Sequence, residues 1–207
     1  MPRLYQSPDR GLRKLLWVVG GAQANILIGL IVNYKPATPN ISYRIDHFLN
    51  LNATSGQDAE LYQVANYGLA GQYVSHYDQV LMGAKPGSLQ TRDVFNMYAG
   101  DRLATIMGYL SNVPAGGYTV FPLVGAFVRP QKGSVVLWWN MDKNGGYDVL
   151  VKHGGCPVLM GSKWITNKWI RSNSQMYRRS CPSYSNREIR QFREREKFQR
   201  GGHFVDP

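Results

Sequence analysis

Cysteine is nearly missing. Two stand in 207 residues, Cys156 and Cys181, and neither sits in a CxxC pair, which argues against a zinc site built on cysteine. They leave one forced disulfide or two reduced thiols. Long apolar runs are missing too. The best candidate, Leu15 to Val19 followed by Ile26 to Val32, is broken by Gly20, Gly21, Gln23, Asn25 and Gly29. No stretch of about 18 clean apolar residues exists, so no firm membrane span is expected. There is no internal repeat and no low-complexity segment, which excludes a solenoid. Neither zinc-finger spacing nor a basic run interleaved with aromatics occurs, so a nucleic-acid partner is not expected. Histidine is scarce: His47, His76, His153 and His203 are the four, and any imidazole chemistry has to be built from them.

What is present describes one main domain. The chain is 43% hydrophobic, with 22 glycines and 11 prolines. That is enough for one core and short for two, and it suits strands and turns better than a helical bundle. The formal net charge is +11, read as many exposed Lys and Arg. The densest basic stretch, Arg187 to Arg200, mixes signs, with Arg190/Glu194 and Glu196/Arg200 one helical turn apart, the pattern of a solvated helix. Near the start, Arg10, Arg13 and Lys14 precede the apolar stretch, an order that resembles a signal peptide or anchor. Its interruptions suit a buried helix or strand pair instead. Asn40-Ile41-Ser42 and Asn52-Ala53-Thr54 mark Asn40 and Asn52 as glycosylation acceptors. With a disulfide they agree with an oxidising secretory compartment. Lys35-Pro36-Ala37-Thr38-Pro39 reads as a linker. It separates an N-terminal segment (1–40) from a domain (41–184), which a basic tail (185–207) follows.

Gln57 to Tyr67 carries Leu61, Val64 and Ala65 and reads as a short helix. Beyond it, short apolar runs alternate with turns. The runs are Gly71 to His76, Leu103 to Leu110, Thr119 to Phe121, Phe127 to Arg129, Ser134 to Trp139, Val149 to Lys152 and Lys163 to Ile170. Between them fall turns such as Pro114-Ala115-Gly116-Gly117 and Lys143-Asn144-Gly145-Gly146. Many short strands with such turns indicate a mainly β sandwich or jelly roll with flanking helices. Residues 81–100 form a longer insertion of the kind used for binding.

His76-Tyr77-Asp78 places an imidazole and a carboxylate two residues apart, on one face if the segment is a strand. His153 lies at another strand edge. Two histidines and one carboxylate leave three positions of an octahedral iron open, which a dioxygenase needs for a bidentate cosubstrate and O2. Lys163 stands on the next strand, where an ammonium can anchor the far carboxylate of a dicarboxylate cosubstrate.

The same residues lie inside a longer pattern. It comprises Gln63-Val64-Ala65-Asn66-Tyr67-Gly68, Gly71-Gln72-Tyr73-Val74-Ser75-His76-Tyr77-Asp78, Asp101-Arg102-Leu103-Ala104-Thr105 and Tyr109-Leu110-Ser111-Asn112-Val113. Further on come Gly116-Gly117-Tyr118-Thr119-Val120-Phe121-Pro122, His153-Gly154-Gly155-Cys156-Pro157-Val158, Gly161-Ser162-Lys163-Trp164 and Asn167-Lys168-Trp169-Ile170. In order and spacing these resemble the catalytic domain of the collagen prolyl 4-hydroxylase alpha subunit. The resemblance covers residues 60 to 182 and implies a double-stranded β-helix, the jelly roll of cupin-like folds. It implies Fe(II) held by His76, Asp78 and His153, and 2-oxoglutarate held by Lys163, with Tyr109 a second contact and Thr119 lining the pocket. O2 is then the other cosubstrate and ascorbate the reductant. The implied reaction hydroxylates peptidyl proline at C4 in procollagen-like, proline-rich substrates and releases succinate and CO2. No catalytic residue beyond the iron site is implied. The family pairs two cysteines around its last strands, at the places of Cys156 and Cys181, as suits the endoplasmic reticulum lumen. Tyr77, Trp138, Trp139 and Trp164 are candidates for apolar walls.

The chain also departs from that family. Arg171 stands where many members carry a histidine near the cosubstrate, and Ser172 to Tyr177 differ from the usual pattern. The family's separate assembly and peptide-binding domains have no counterpart in these 207 residues, so a partnership with protein disulfide isomerase is implied by resemblance alone. Two other readings stay open. One is the same chemistry on a non-collagen substrate. The other is a non-catalytic relative that binds peptide or a partner.

Overall fold

The alternating apolar runs fold as antiparallel strands. The computed structural model describes residues 16–19, 26–31 and 37–178, apart from 55, 86, 89–93 and 143. In chain order the strands are β1 (Leu16–Val19), β2 (Ile26–Ile31), β3 (Tyr62–Tyr67), β4 (Tyr73–His76), β5 (Arg102–Tyr109) and β6 (Ala115–Gly116). They continue as β7 (Thr119–Phe121), β8 (Ala126–Val128), β9 (Val135–Trp139), β10 (His153–Gly155), β11 (Val158–Met160) and β12 (Lys163–Arg171). The helices are α1 (Ala37–Leu49) and α2 (Val94–Ala99). A major sheet runs β1-β2-β3-β12-β5-β9, a minor sheet runs β4-β10-β7-β8, and β11 pairs with β6. This is the expected jelly roll, with the core between its sheets.

That inner core joins Ala65, Tyr67, Met107, Tyr109, Trp138 and Ile165 of the major sheet to Phe121 of the minor one. A second cluster, built on Leu51, Ala104, Ile106 and Ile170, lies on the outer face of the major sheet, where Ile45 and Leu49 of α1 pack. One face of β12 therefore looks into the barrel and the other towards the helix. Gly116 is required at the β6 turn. Its φ is +77°, and a Cβ there would lie 2.3 Å from the Pro157 carbonyl oxygen.

Three local expectations need correction. Residues 62–67 form β3 rather than the end of a helix. The strand lies between β2 and β12, and Tyr62, Val64, Ala65 and Tyr67 are all buried. Burial on both faces erases the alternation that marks a strand. The expected linker runs into α1. Pro39 sits in the first helical turn, where a missing N–H costs nothing, and the helix stops before Asn50, whose φ is +52°. Val149–Val151 is a 3-10 turn, stabilised by Leu150 N–H donating to Asp148 Oδ1 at 2.9 Å. The interrupted apolar stretch near the start forms a strand pair, one of the two forms its interruptions suit: β1 pairs with β2, and β2 pairs along β3. Among the described residues, no helix is long and apolar enough to cross a membrane. Cys181, His203 and the expected helix in Arg187 to Arg200 fall outside the described residues, and so do residues 1–15.

Candidate active site

Strand pairing brings the two histidines together. β4 and β10 are antiparallel neighbours, and His153 lies directly opposite His76, with ring centroids 4.4 Å apart. Asp78 arrives differently from the sequence expectation. β4 ends at His76, so the carboxylate comes from the following bend and not from the same pleated face. It still converges: Asp78 Oδ1 is 3.5 Å from His76 Nε2, and Oδ2 is 3.7 Å from His153 Nε2. One ligand atom from each of the three lies within 4.8 Å of the others.

The protonation states suit a metal. His76 Nδ1 is 2.9 Å from the Val74 carbonyl and His153 Nδ1 is 3.0 Å from that of Val151. A carbonyl only accepts, so each Nδ1 carries the proton and each Nε2 keeps a lone pair for the shared point. Burial, the largest influence on His153, lowers its pKa and favours the neutral ring. For Asp78, burial is again the largest influence and pushes the carboxyl up. His76, the charge of His153, the Thr105 hydroxyl and the nearby Trp169 indole outweigh it and hold the value at about 2. Two neutral imidazoles and one carboxylate fit a divalent first-row metal with open positions.

The same cavity, of about 470 Å³, contains Lys163. Lys163 opens β12 opposite Tyr67 and is 3% exposed. Its Nζ donates to Thr119 Oγ1 at 3.2 Å, and the Tyr109 hydroxyl donates to the same oxygen at 2.8 Å. The three residues expected to hold the cosubstrate therefore meet at one atom. Among the described residues no carboxylate lies within ion-pair distance of Nζ. Burial lowers the lysine to about 8, against a smaller upward influence of Cys156. A Cβ on Gly155 would lie 3.7 Å from Nζ, and one on Gly117 would lie 3.5 Å from the Lys163 Cδ; the two glycines keep the space around the ammonium open. A buried ammonium without a counter-ion is unfavourable, so the site fits a carboxylate of an anionic ligand.

Sequence reasoning missed several members of the cavity. Tyr67, Met107 and Ile165 line it, as do Arg102 and Trp169. The Arg102 guanidinium stacks 3.7 Å from the Trp169 ring centroid. For Ile165 and Trp169 the signal was the inward-facing period of β12, which Lys163 starts, and for Met107 that of β5; Tyr67 on β3 and Arg102, out of step with Met107, had none. Of the four expected aromatic walls, Tyr77 and Trp138 line the cavity, while Trp139 packs with the outer cluster. Trp164 is half-buried and is not part of the lining. Arg171 does not approach Lys163, being eight residues further along an extended strand, roughly 25 Å. It is buried and donates to Asn96 Oδ1 (2.9 Å), the Gly100 carbonyl (2.8 Å) and Glu60 Oε1 (2.8 Å). Glu60 also takes a two-pronged contact from Arg102, at 2.7 and 2.8 Å. Cys156 is half-buried, and its expected disulfide lies outside the described residues with Cys181. Asn40 is exposed on α1; Asn52 is half-buried, with its amide donating to Asp58.

Comparison with known proteins gives a consistent set. The family model described as 2OG-Fe(II) oxygenase superfamily matches residues 62–171. The prolyl 4-hydroxylase subunit alpha-1 of Gallus gallus is 42% identical over 148 residues, 71% of this chain and 27% of that protein. The Homo sapiens subunit alpha-1 is 41% identical over 147 residues, 71% and 26% of the two chains. The chain thus spans about a quarter of the length of these relatives. Among solved structures, the viral collagen prolyl hydroxylase of Paramecium Bursaria Chlorella virus-1, in its 2OG complex, superposes with a TM-score of 0.58. It is 26% identical, over 72% of this chain and 80% of that one.

Proposed function

This chain belongs to the 2OG-Fe(II) oxygenase superfamily, and from that premise we propose that it hydroxylates peptidyl proline at C4 in procollagen-like, proline-rich substrates. One observation carries the reading. A single cavity holds both a two-histidine, one-carboxylate donor set and a buried ammonium with no carboxylate beside it. Proline as the target is supported by 41–42% identity to prolyl 4-hydroxylase alpha-1 subunits across the site.

His76, Asp78 and His153 would hold Fe(II), which with 2-oxoglutarate and O2 supplies the oxidation of a substrate C–H bond, with release of succinate and CO2. Lys163 binds the far carboxylate of 2-oxoglutarate by a charge-assisted hydrogen bond. Thr119, bonded to both Lys163 and Tyr109, sets where the ammonium points. Trp138, Met107 and Ile165 exclude water along the walls, which strengthens that contact. Ascorbate serves as the reductant. The setting is the endoplasmic reticulum lumen, supported by the two sequons and by cysteines at both places where the collagen-type subunits pair them. Protein disulfide isomerase belongs to the same reading as a partner.

Binding of 2-oxoglutarate is expected to depend on pH through Lys163. Without a ligand the lysine titrates at about 8, and a bound carboxylate raises that value by favouring the ammonium. Between the two values binding takes up a proton. Affinity is therefore full below pH 8 and falls as pH rises through it. Calorimetry on Mn(II)-loaded protein on both sides of pH 8 checks this; a flat profile shows that Lys163 does not contact the anion.

The function itself is tested by succinate release. Turnover of 2-oxoglutarate is expected to rise when a (Pro-Pro-Gly) repeat peptide is added, and to stay at its basal rate with an alanine-substituted control. Equal stimulation by both peptides contradicts proline as the target.

A further inference from the structure

Both histidine ligands stand on the minor sheet, and Asp78 follows β4 in a bend whose backbone does not fix its side chain. What holds the carboxylate comes from the opposite sheet. Thr105 lies mid-way along β5, opposite Trp138 of β9 and Trp169 of β12, and its hydroxyl is 2.6 Å from Asp78 Oδ2. Asn140 Nδ2 is 2.9 Å from the same Thr105 oxygen. All three are buried, with Thr105 1% and Asn140 0% exposed.

The direction of these bonds follows from donor chemistry. The amide NH2 of Asn140 only donates, so it occupies a lone pair of Thr105 Oγ1. The single hydroxyl proton of Thr105 then goes to Asp78 Oδ2, which is ionised and only accepts. Asn140 is itself anchored. Its N–H donates to the Leu103 carbonyl at 2.9 Å, and its carbonyl accepts from Asp148 N–H at 3.0 Å and from the Gln79 side chain. The relay Asn140–Thr105–Asp78 thus runs from a pinned backbone to one chosen carboxylate oxygen. Oδ2 is engaged by the Thr105 hydroxyl, while Oδ1 faces His76 Nε2 at 3.5 Å.

We propose that Thr105, oriented by Asn140, is a positioning residue that holds Asp78 by Oδ2 and so presents Oδ1 as the metal-binding oxygen. The inference rests on the iron-site reading given above. It predicts that the Thr105 hydroxyl matters for metal affinity more than for the fold, since partners that orient a ligand typically contribute roughly 10- to 100-fold to metal binding.

The test is Mn(II) binding without cosubstrate or turnover, followed by the electron paramagnetic resonance signal of free Mn(II). Melting of each metal-free protein is recorded beside it. Thr105→Val keeps shape and removes the donor, and it is expected to weaken Mn(II) binding by roughly 10- to 100-fold. Thr105→Ser, which restores the hydroxyl, is expected to bind close to wild type. Thr105→Ala removes the hydroxyl without placing a methyl against Asp78, and serves if the valine variant does not fold. Wild-type affinity in a folded Thr105→Val or Thr105→Ala protein overturns the proposal, and so does a Thr105→Ser protein as weak as the valine variant. If wild type itself binds no Mn(II), the iron-site reading fails first and the proposal with it.

Discussion

Asp78→Ala is expected to abolish product formation while leaving the protein folded. Asp78 is the one anionic group in the three-residue donor set, and its carboxyl stays ionised down to about pH 2. Without it, two neutral imidazoles are left to hold a divalent cation, and neither offsets the cation's charge. The loss should exceed the roughly 100-fold that removal of an outer hydrogen-bond partner causes. Asp78→Asn separates shape from charge. It keeps the volume and an acceptor oxygen, and it is expected to be nearly as inactive. Both variants are checked by succinate release at saturating 2-oxoglutarate, with circular dichroism as the control for folding. A folded Asp78→Ala protein that turns over at the wild-type rate would remove Asp78 from the metal site.

Lys163→Met is expected to show two opposite effects. A hydrogen bond to a charged group contributes about 1.5–3 kcal/mol, so the apparent 2-oxoglutarate requirement should rise roughly 10- to 150-fold. The rate at saturation should change much less, because Lys163 is expected to hold the end of the cosubstrate away from the metal. The ligand-free protein should meanwhile become more stable. Lys163 is 3% exposed and titrates at about 8 instead of 10.5, which means that its charge is unfavourable in the empty cavity. Replacing it with an apolar side chain of similar length should recover a stabilisation of about 1–3 kcal/mol at neutral pH. Kinetics across a range of 2-oxoglutarate and urea titration of the metal-free protein measure the two effects. A lower melting point with an unchanged 2-oxoglutarate requirement would make Lys163 a structural residue.

The chemistry of this site was more legible in the sequence than its architecture. His76 and His153 are two of only four histidines, Asp78 stands two residues from His76, and Lys163 follows at the start of an apolar run, so a short list of candidates already contained the donor set. Their convergence depends on one cross-strand register, His153 opposite His76, which no local pattern encodes. Tyr109 and Thr119 came from family resemblance alone. Their shared bond to one oxygen joins strands of two different sheets. The Thr105 relay was invisible because threonine in a buried strand looks like packing until the register shows what faces it. Among the elements, β3 was mistaken for a helix because both its faces are buried. The start of α1 was mistaken for a linker because Thr38, Pro39 and Asn40 are poor helix formers whose cost is small at a helix start.

Arg171 shows the limit of transferring a family pattern by position. The sequence comparison placed it near the cosubstrate, yet its side chain joins Glu60, Asn96 and Gly100. It ties the start of β3 to α2 and to the turn before β5. At that place a buried guanidinium with a carboxylate partner satisfies more hydrogen bonds than an imidazole can.

The most direct test of the account is amino-acid analysis of a (Pro-Pro-Gly) repeat peptide incubated with the protein, Fe(II), 2-oxoglutarate and ascorbate, with Asp78→Ala run in parallel. The account predicts 4-hydroxyproline in the wild-type reaction and none with the variant. A folded wild-type protein that binds metal and leaves the peptide unhydroxylated would contradict it.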